Sequence, residues 1–85
     1  MDYYLITFSS THSAIAAQKY LEGKLSFHVC PTLREISNSC GISLRLDSST
    51  YDEIQGYMLH FPLGIEMYKI YHVTSSAISE MKQSS

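Results

Sequence analysis

The order of short segments, β-α-β-β-α-β, constrains this chain more than any single residue in it. Tyr3 to Phe8, YYLITF, is short, aromatic and β-branched, and reads as a strand buried on both faces. Ser10 or Thr11 then offers a side-chain oxygen to a free first-turn amide. Ala14, Ala17, Tyr20 and Leu21 follow at helical spacing, with Ile15 at the edge of that face. Gly23 is a stop signal, so a first helix is expected over Thr11 to Glu22. Residues 25–33, LSFHVCPTL, alternate as a second strand, with Phe27, Val29, Pro31 and Leu33 on one side and His28, Cys30 and Thr32 on the other. Pro31 has no N–H to give to a ladder, which assigns this strand to a sheet edge. Gly41 to Leu46 alternates again, with Ile42, Leu44 and Leu46 sharing a side. Thr50 and Glu53 fit a capping box, and Ile54, Tyr57, Met58 and Phe61 form a helical stripe that Pro62 and Gly64 end. Ile65 to Val73 reads as the last strand.

Right-handed crossovers place both helices on one face of the sheet. The expected fold is therefore α+β: a ferredoxin-like split β-α-β-β-α-β sandwich with a four-stranded antiparallel sheet in the order 4-1-3-2. A swapped or dimerised arrangement of the same elements is the alternative. The single domain is expected over residues 1–74, followed by a polar tail, 75–85, that frays or forms a loose helix over Ala77 to Lys82. A chain of 85 residues supports one thin core, and a hydrophobic fraction of 45 % is that of a globular protein. The net charge is −2 and no charge run exceeds two residues, which gives no footprint for nucleic acid or an anionic membrane. No apolar run is long enough to span a bilayer, and MDYYLITF lacks the basic start of a secretory signal. Two cysteines without such a signal point to free thiols in a reducing compartment, with the cytoplasm as the expected location. His28, His60 and His72 lack ligand spacing, so neither a metal nor another cofactor is expected.

The topology bears most directly on Cys40. In the expected order, the third strand starts beside the end of the first, which sets Cys40 near Ser9 to His12 at the mouth of helix one. Residues opposite one another in an antiparallel pair share a face. If Phe27, Val29 and Leu33 face the helices with Ile42, Leu44 and Leu46, Cys40 faces them too and Cys30 faces away. A bulge in the hairpin would reverse that parity. Amides and the dipole at a helix start favour negative charge, and such positions lower a thiol pKa from about 8.5 to roughly 3.5–7.5. Arg34 across the loop would add positive charge, and His12 could stabilise the anion or shuttle a proton. The plainer reading makes Cys40 a small packed residue beside Gly41.

The run Pro31, Arg34, Glu35, Ile36, Ser37, Ser39, Cys40, Gly41, together with Ser10-Thr11-His12, resembles the selenium/sulfur carrier protein-like family. The resemblance covers about Tyr3 to Val73. It implies a small single-domain protein of mostly bacterial distribution, with Cys40 as the carrier thiol, and partners that donate and accept sulfur or selenium. The family usually has a second proline two residues after the first, where this chain has Leu33, so the loop entry is expected to be less rigid. Arg34 and His12 are the candidate residues assisting Cys40. Ser10, Thr11, Ser37, Ser39 and Gly41 are the candidate binding residues around it. Their plain alternatives are a solvated loop arginine, a surface histidine, a helix cap and turn-closing hydroxyls. Cys30 reads as a half-exposed strand cysteine.

A second class of function rests on seven tyrosines, of which Tyr3, Tyr68 and Tyr71 are candidates for the sheet face that helices do not cover. A protein that docks or homodimerises through that face would use Cys40 only for packing.

Overall fold

The computed structural model describes residues 2–33, 36, 41–64 and 67–81. Seven elements lie among them: β1 (Tyr3–Phe8), α1 (Thr11–Leu21), β2 (His28–Pro31), β3 (Ile42–Leu46), α2 (Tyr51–Met58), β4 (Tyr68–Val73) and β5 (Ile78–Met81). The architecture is α+β, with one antiparallel sheet in the order β2-β3-β1-β4-β5. The four strands expected from the sequence are neighbours as expected. The fifth is a correction: Ile78–Met81 pairs with β4 where a frayed or helical tail was expected. Its four residues alternate. Ile78 opposes Val73 and packs on one face, while Met81 opposes Ile70 and packs on the other. The reversal before it is closed by Thr74, whose N–H donates to the Ala77 carbonyl at 2.8 Å and whose Oγ1 accepts from the Ala77 amide at 3.1 Å.

The sheet has two packed faces. Ile6, Phe8, Leu44, Leu46, Tyr68 and Ile70 meet Ala14, Ala17 and Leu21 of α1 and Ile54 and Met58 of α2 in the main core. Both helices therefore cover the same face. On the other face Leu5, Val73 and Ile36 form a smaller cluster, with Tyr3, Cys30, Leu33, Tyr71 and Ile78 packed around it. Consecutive residues of β1 are buried on opposite sides, which is why YYLITF has no polar alternation.

Both helices begin where the sequence placed them. Ser10 is the N-cap of α1, its Oγ accepting from the Ser13 amide at 3.1 Å, so Thr11 is the first helical residue rather than the cap. The helix ends at Leu21, one residue earlier than expected, and Gly23 turns the chain with φ +82°. Thr50 and Glu53 close a full capping box on α2. That helix stops at Met58, short of the expected stripe. Phe61 reaches the core through turns instead, its amide donating to the Met58 carbonyl at 3.1 Å, while Tyr57 remains 39 % exposed.

Pro31 lies in the edge strand, as its missing N–H requires. The second strand is shorter than expected, and its alternation ends at Thr32. Leu33 packs in the cluster away from the helices, on the same side as Cys30. The expectation that Leu33 faces the helices is therefore corrected, and the parity argument built on it for Cys40 loses its basis.

Candidate functional site

The connection from β2 to β3 is anchored at three described points. The Thr32 amide donates to the Gly41 carbonyl at 3.0 Å and closes the base of the hairpin. The Ile36 amide donates to the Leu33 carbonyl at 3.0 Å, forming a turn. The Ile36 side chain, 7 % exposed, is buried against Leu5 and Val73. Ile36 is the only apolar side chain in REISNSCG before the cysteine. Leu33, which stands where the resembled family has a second proline, joins the same cluster. Burial there fixes the loop entry in place of a ring-locked backbone. Arg34, Glu35, Ser37, Asn38, Ser39 and Cys40 lie outside the described residues.

The hairpin base and the start of α1 share one pole of the molecule. Thr7 pairs with Ser43, and β1 runs antiparallel to β3, so the start of β3 lies beside the end of β1. The Ser9 amide donates to the Met67 carbonyl at 3.0 Å, which ties the β1–α1 turn to the approach of β4. Ser10 is engaged as a cap, with its Oγ 2.9 Å from Ser13 Oγ. Thr11 and His12 are exposed, and no acidic residue in the first turn offsets the positive end of α1. Among the described residues, nothing lies within 4 Å of a Cβ placed on Gly41.

A row of hydroxyls lies on the sheet face away from the helices. Ser43, fully buried, shares a 2.7 Å hydrogen bond with Thr32 Oγ1. Thr7, opposite Ser43, is 1 % exposed, and its Oγ1 has no hydrogen-bond partner among the described residues. The alternating sequence gave no sign of this row, because serine and threonine at strand positions read as solvent-facing.

Among the described residues, two clefts flank the Leu33–Ile36 anchor. One, about 440 Å³, is lined by Tyr3, Leu5, Cys30, Pro31, Thr32, Leu33 and Arg45. The other, about 660 Å³, lies between Leu33, Ile36, Tyr71 and the turn from Thr74 to Ala77. In the first, Arg45 is held at both ends. Its Nε donates to Asp47 Oδ1 at 2.9 Å, and its guanidinium lies 3.9 Å from the centre of the Tyr3 ring. Burial pushes the Cys30 thiol up from its ordinary pKa. Nearby Arg45 opposes that rise and Asp47 adds to it. Cys30 is thus kept as a neutral thiol at pH 7, the unreactive form. Among the described residues, no three His, Cys, Asp or Glu side chains are grouped to hold a metal ion. No helix among the described residues is long and apolar enough to cross a membrane.

No curated protein and no solved structure matches the chain. A family model described as "Putative Se/S carrier protein-like" matches residues 3–72, from the first residue of β1 into β4 and across the whole β2–β3 connection, and the chain belongs to that family.

Proposed function

We propose that this protein carries sulfur or selenium between partner proteins, with the chalcogen held on Cys40, on a ferredoxin-like scaffold extended by β5. The family membership carries this reading, because the matched span includes the Pro31–Gly41 run in which Cys40 stands. Three features of the described residues support it. The other cysteine, Cys30, has a thiol pushed up in pKa and is the poorer nucleophile. The start of β3 shares a pole with the uncompensated positive end of α1. Among the described residues, nothing lies within 4 Å of a Cβ placed on Gly41, which suits close approach of a partner's reacting group.

The reaction is a transfer between sulfurs. The Cys40 thiolate attacks the terminal sulfur of a persulfide on a donor protein. A new S–S bond forms on Cys40, the donor's S–S bond breaks, and the bonding pair leaves with the donor thiolate. No external oxidant or reductant is needed. Arg34 and the first amides of α1 stabilise the resulting anion, and His12 exchanges its proton with solvent. An acceptor thiolate then removes the terminal atom by the same displacement. Such chemistry belongs in a reducing compartment such as the cytoplasm, where the thiol stays free.

Incubation with sodium tetrasulfide followed by peptide mass spectrometry tests the reading. Cys40 is expected to gain one sulfur and Cys30 to remain largely unmodified at pH 7. Labelling by iodoacetamide should show Cys40 reacting with a thiolate pKa below the free value of about 8.5. A Cys40 that takes up no sulfur and alkylates only at alkaline pH overturns it.

A further inference from the structure

Arg45 stands on the sheet face away from the helices, opposite Leu5 on β1 and His28 on β2. Its guanidinium is held from two directions. Nε donates to Asp47 Oδ1 at 2.9 Å, and the guanidinium carbon lies over the Tyr3 ring, 3.9 Å from its centre. Among the described residues, no hydrogen bond engages the two terminal nitrogens. Arg45 lines the cleft of about 440 Å³, a size within the range of small-molecule sites. Leu5, Pro31, Leu33 and Cys30 supply most of the remaining wall. Burial keeps the Cys30 thiol neutral, so Arg45 is the one charge among the residues that line this cleft. An apolar wall with a single oriented polar group is the usual make-up of a site that fixes a ligand's orientation.

We infer that this cleft binds a small aliphatic monocarboxylate, with the carboxylate on the terminal N–H groups of Arg45 and the tail against Leu5 and Leu33. The inference stands apart from the carrier reading, since every residue it uses lies outside the run from Arg34 to Gly41. The planar guanidinium fork matches the two oxygens of a carboxylate. Tyr3 and Asp47 hold that fork in place before a ligand arrives, so binding orders little that was free. Asp47 also selects the charge of the ligand. Its carboxylate already offsets the guanidinium and would repel a dianion such as a phosphate ester more than a monoanion. The aliphatic wall then favours a ligand with a tail over one that is all head group.

The test titrates the isotopically labelled full chain with sodium hexanoate and follows its amide resonances by NMR. Saturable shifts are expected at Tyr3, Cys30, Leu33 and Arg45, with a Kd of about 1 mM, ordinary efficiency for a ligand of this size. Acetate should bind far more weakly, because each buried methylene is worth about fourfold in affinity. Hexanol keeps the tail without the charge and should bind at least about tenfold more weakly than hexanoate, the loss of a charge-assisted hydrogen bond. Arg45→Lys keeps the charge without the fork and should weaken hexanoate by about tenfold, with the spectrum of the rest of the fold unchanged. Hexanoate shifts that do not saturate, or that saturate at other residues, overturn the inference. So does hexanol binding as tightly as hexanoate, because the cleft would then be a plain apolar surface that Arg45 only shields. Equal hexanoate affinity in Arg45→Lys overturns the role of the fork, and hexyl phosphate binding more tightly than hexanoate overturns the choice of a monoanion. The last three comparisons with hexanol, acetate and hexyl phosphate use the parent chain, so the inference remains open to refutation even where Arg45→Lys fails to fold.

Discussion

Burial holds the Cys30 thiol neutral in the folded protein, and Arg45, which would favour the thiolate, is already shared between Asp47 and the Tyr3 ring. A thiol whose folded pKa exceeds its unfolded one stabilises the fold fully below the unfolded value of about 8.5. That contribution disappears as pH rises through the folded value. The stability of the parent should therefore decline above about pH 8.5, and Cys30→Ala should flatten that decline while leaving the profile near neutrality unchanged in shape. Urea unfolding at a series of pH values measures it. An alkaline slope identical in the two proteins would show that Cys30 does not set it. At this scale Cys30 is packed on a strand beside aliphatic groups, whereas the sequence sets Cys40 in a run of small polar residues before a glycine.

At the scale of elements, β5 was the least visible in the sequence. Its four residues contain two apolar side chains and two polar ones, a pattern too brief for periodicity to separate strand from tail. Its order comes from β4, which supplies the ladder, and from Val73, which gives Ile78 a surface to pack on. Ile78→Ser should lower stability by about 1–2 kcal/mol, in line with losing a partly buried aliphatic side chain. It should also speed amide exchange in β5 and at the Val73 end of β4 more than elsewhere. Exchange rates unchanged in β5 would mean that the ladder alone holds the strand. The helices behaved differently, because their signals are local. Ser10 and the Thr50–Glu53 box fix the two starts within one turn, whatever the rest of the chain does.

For the whole molecule, a radius of gyration of 11.6 Å matches the roughly 12 Å expected of a folded chain of this length. The two faces of the sheet contribute unequally. Leu44, fully buried among residues of both helices, belongs to the cooperative core, and Leu44→Ala should lower the unfolding free energy by about 2–5 kcal/mol. Ile36 belongs to the smaller cluster and anchors the motif connection. Ile36→Ala should lower global stability less, yet reduce sulfur uptake by Cys40 more, when both variants are assayed well below their melting temperatures. Denaturant unfolding and tetrasulfide loading measured side by side check this. A larger loss of loading in Leu44→Ala would detach the function from the Ile36 anchor.

The sequence by itself determined the segment order, both helix starts, the edge position of the Pro31 strand and the main core face, because each depends on groups within a few residues of one another. Cap hydroxyls, a missing N–H and a 3.6-residue or two-residue period act locally, so they can be read along the chain. The run from Pro31 to Gly41 stood out through its resemblance to the family rather than through these local signals. Only the tertiary structure decided that this connection is pinned through Ile36 and Leu33 to the face opposite the helices. It also decided that β5 extends the sheet, and that the Thr7 hydroxyl is buried with no hydrogen-bond partner among the described residues. Each of these depends on which surfaces meet across the fold. Desolvation and packing between residues distant in sequence are set by three-dimensional neighbours, and no spacing of residue types along the chain encodes them.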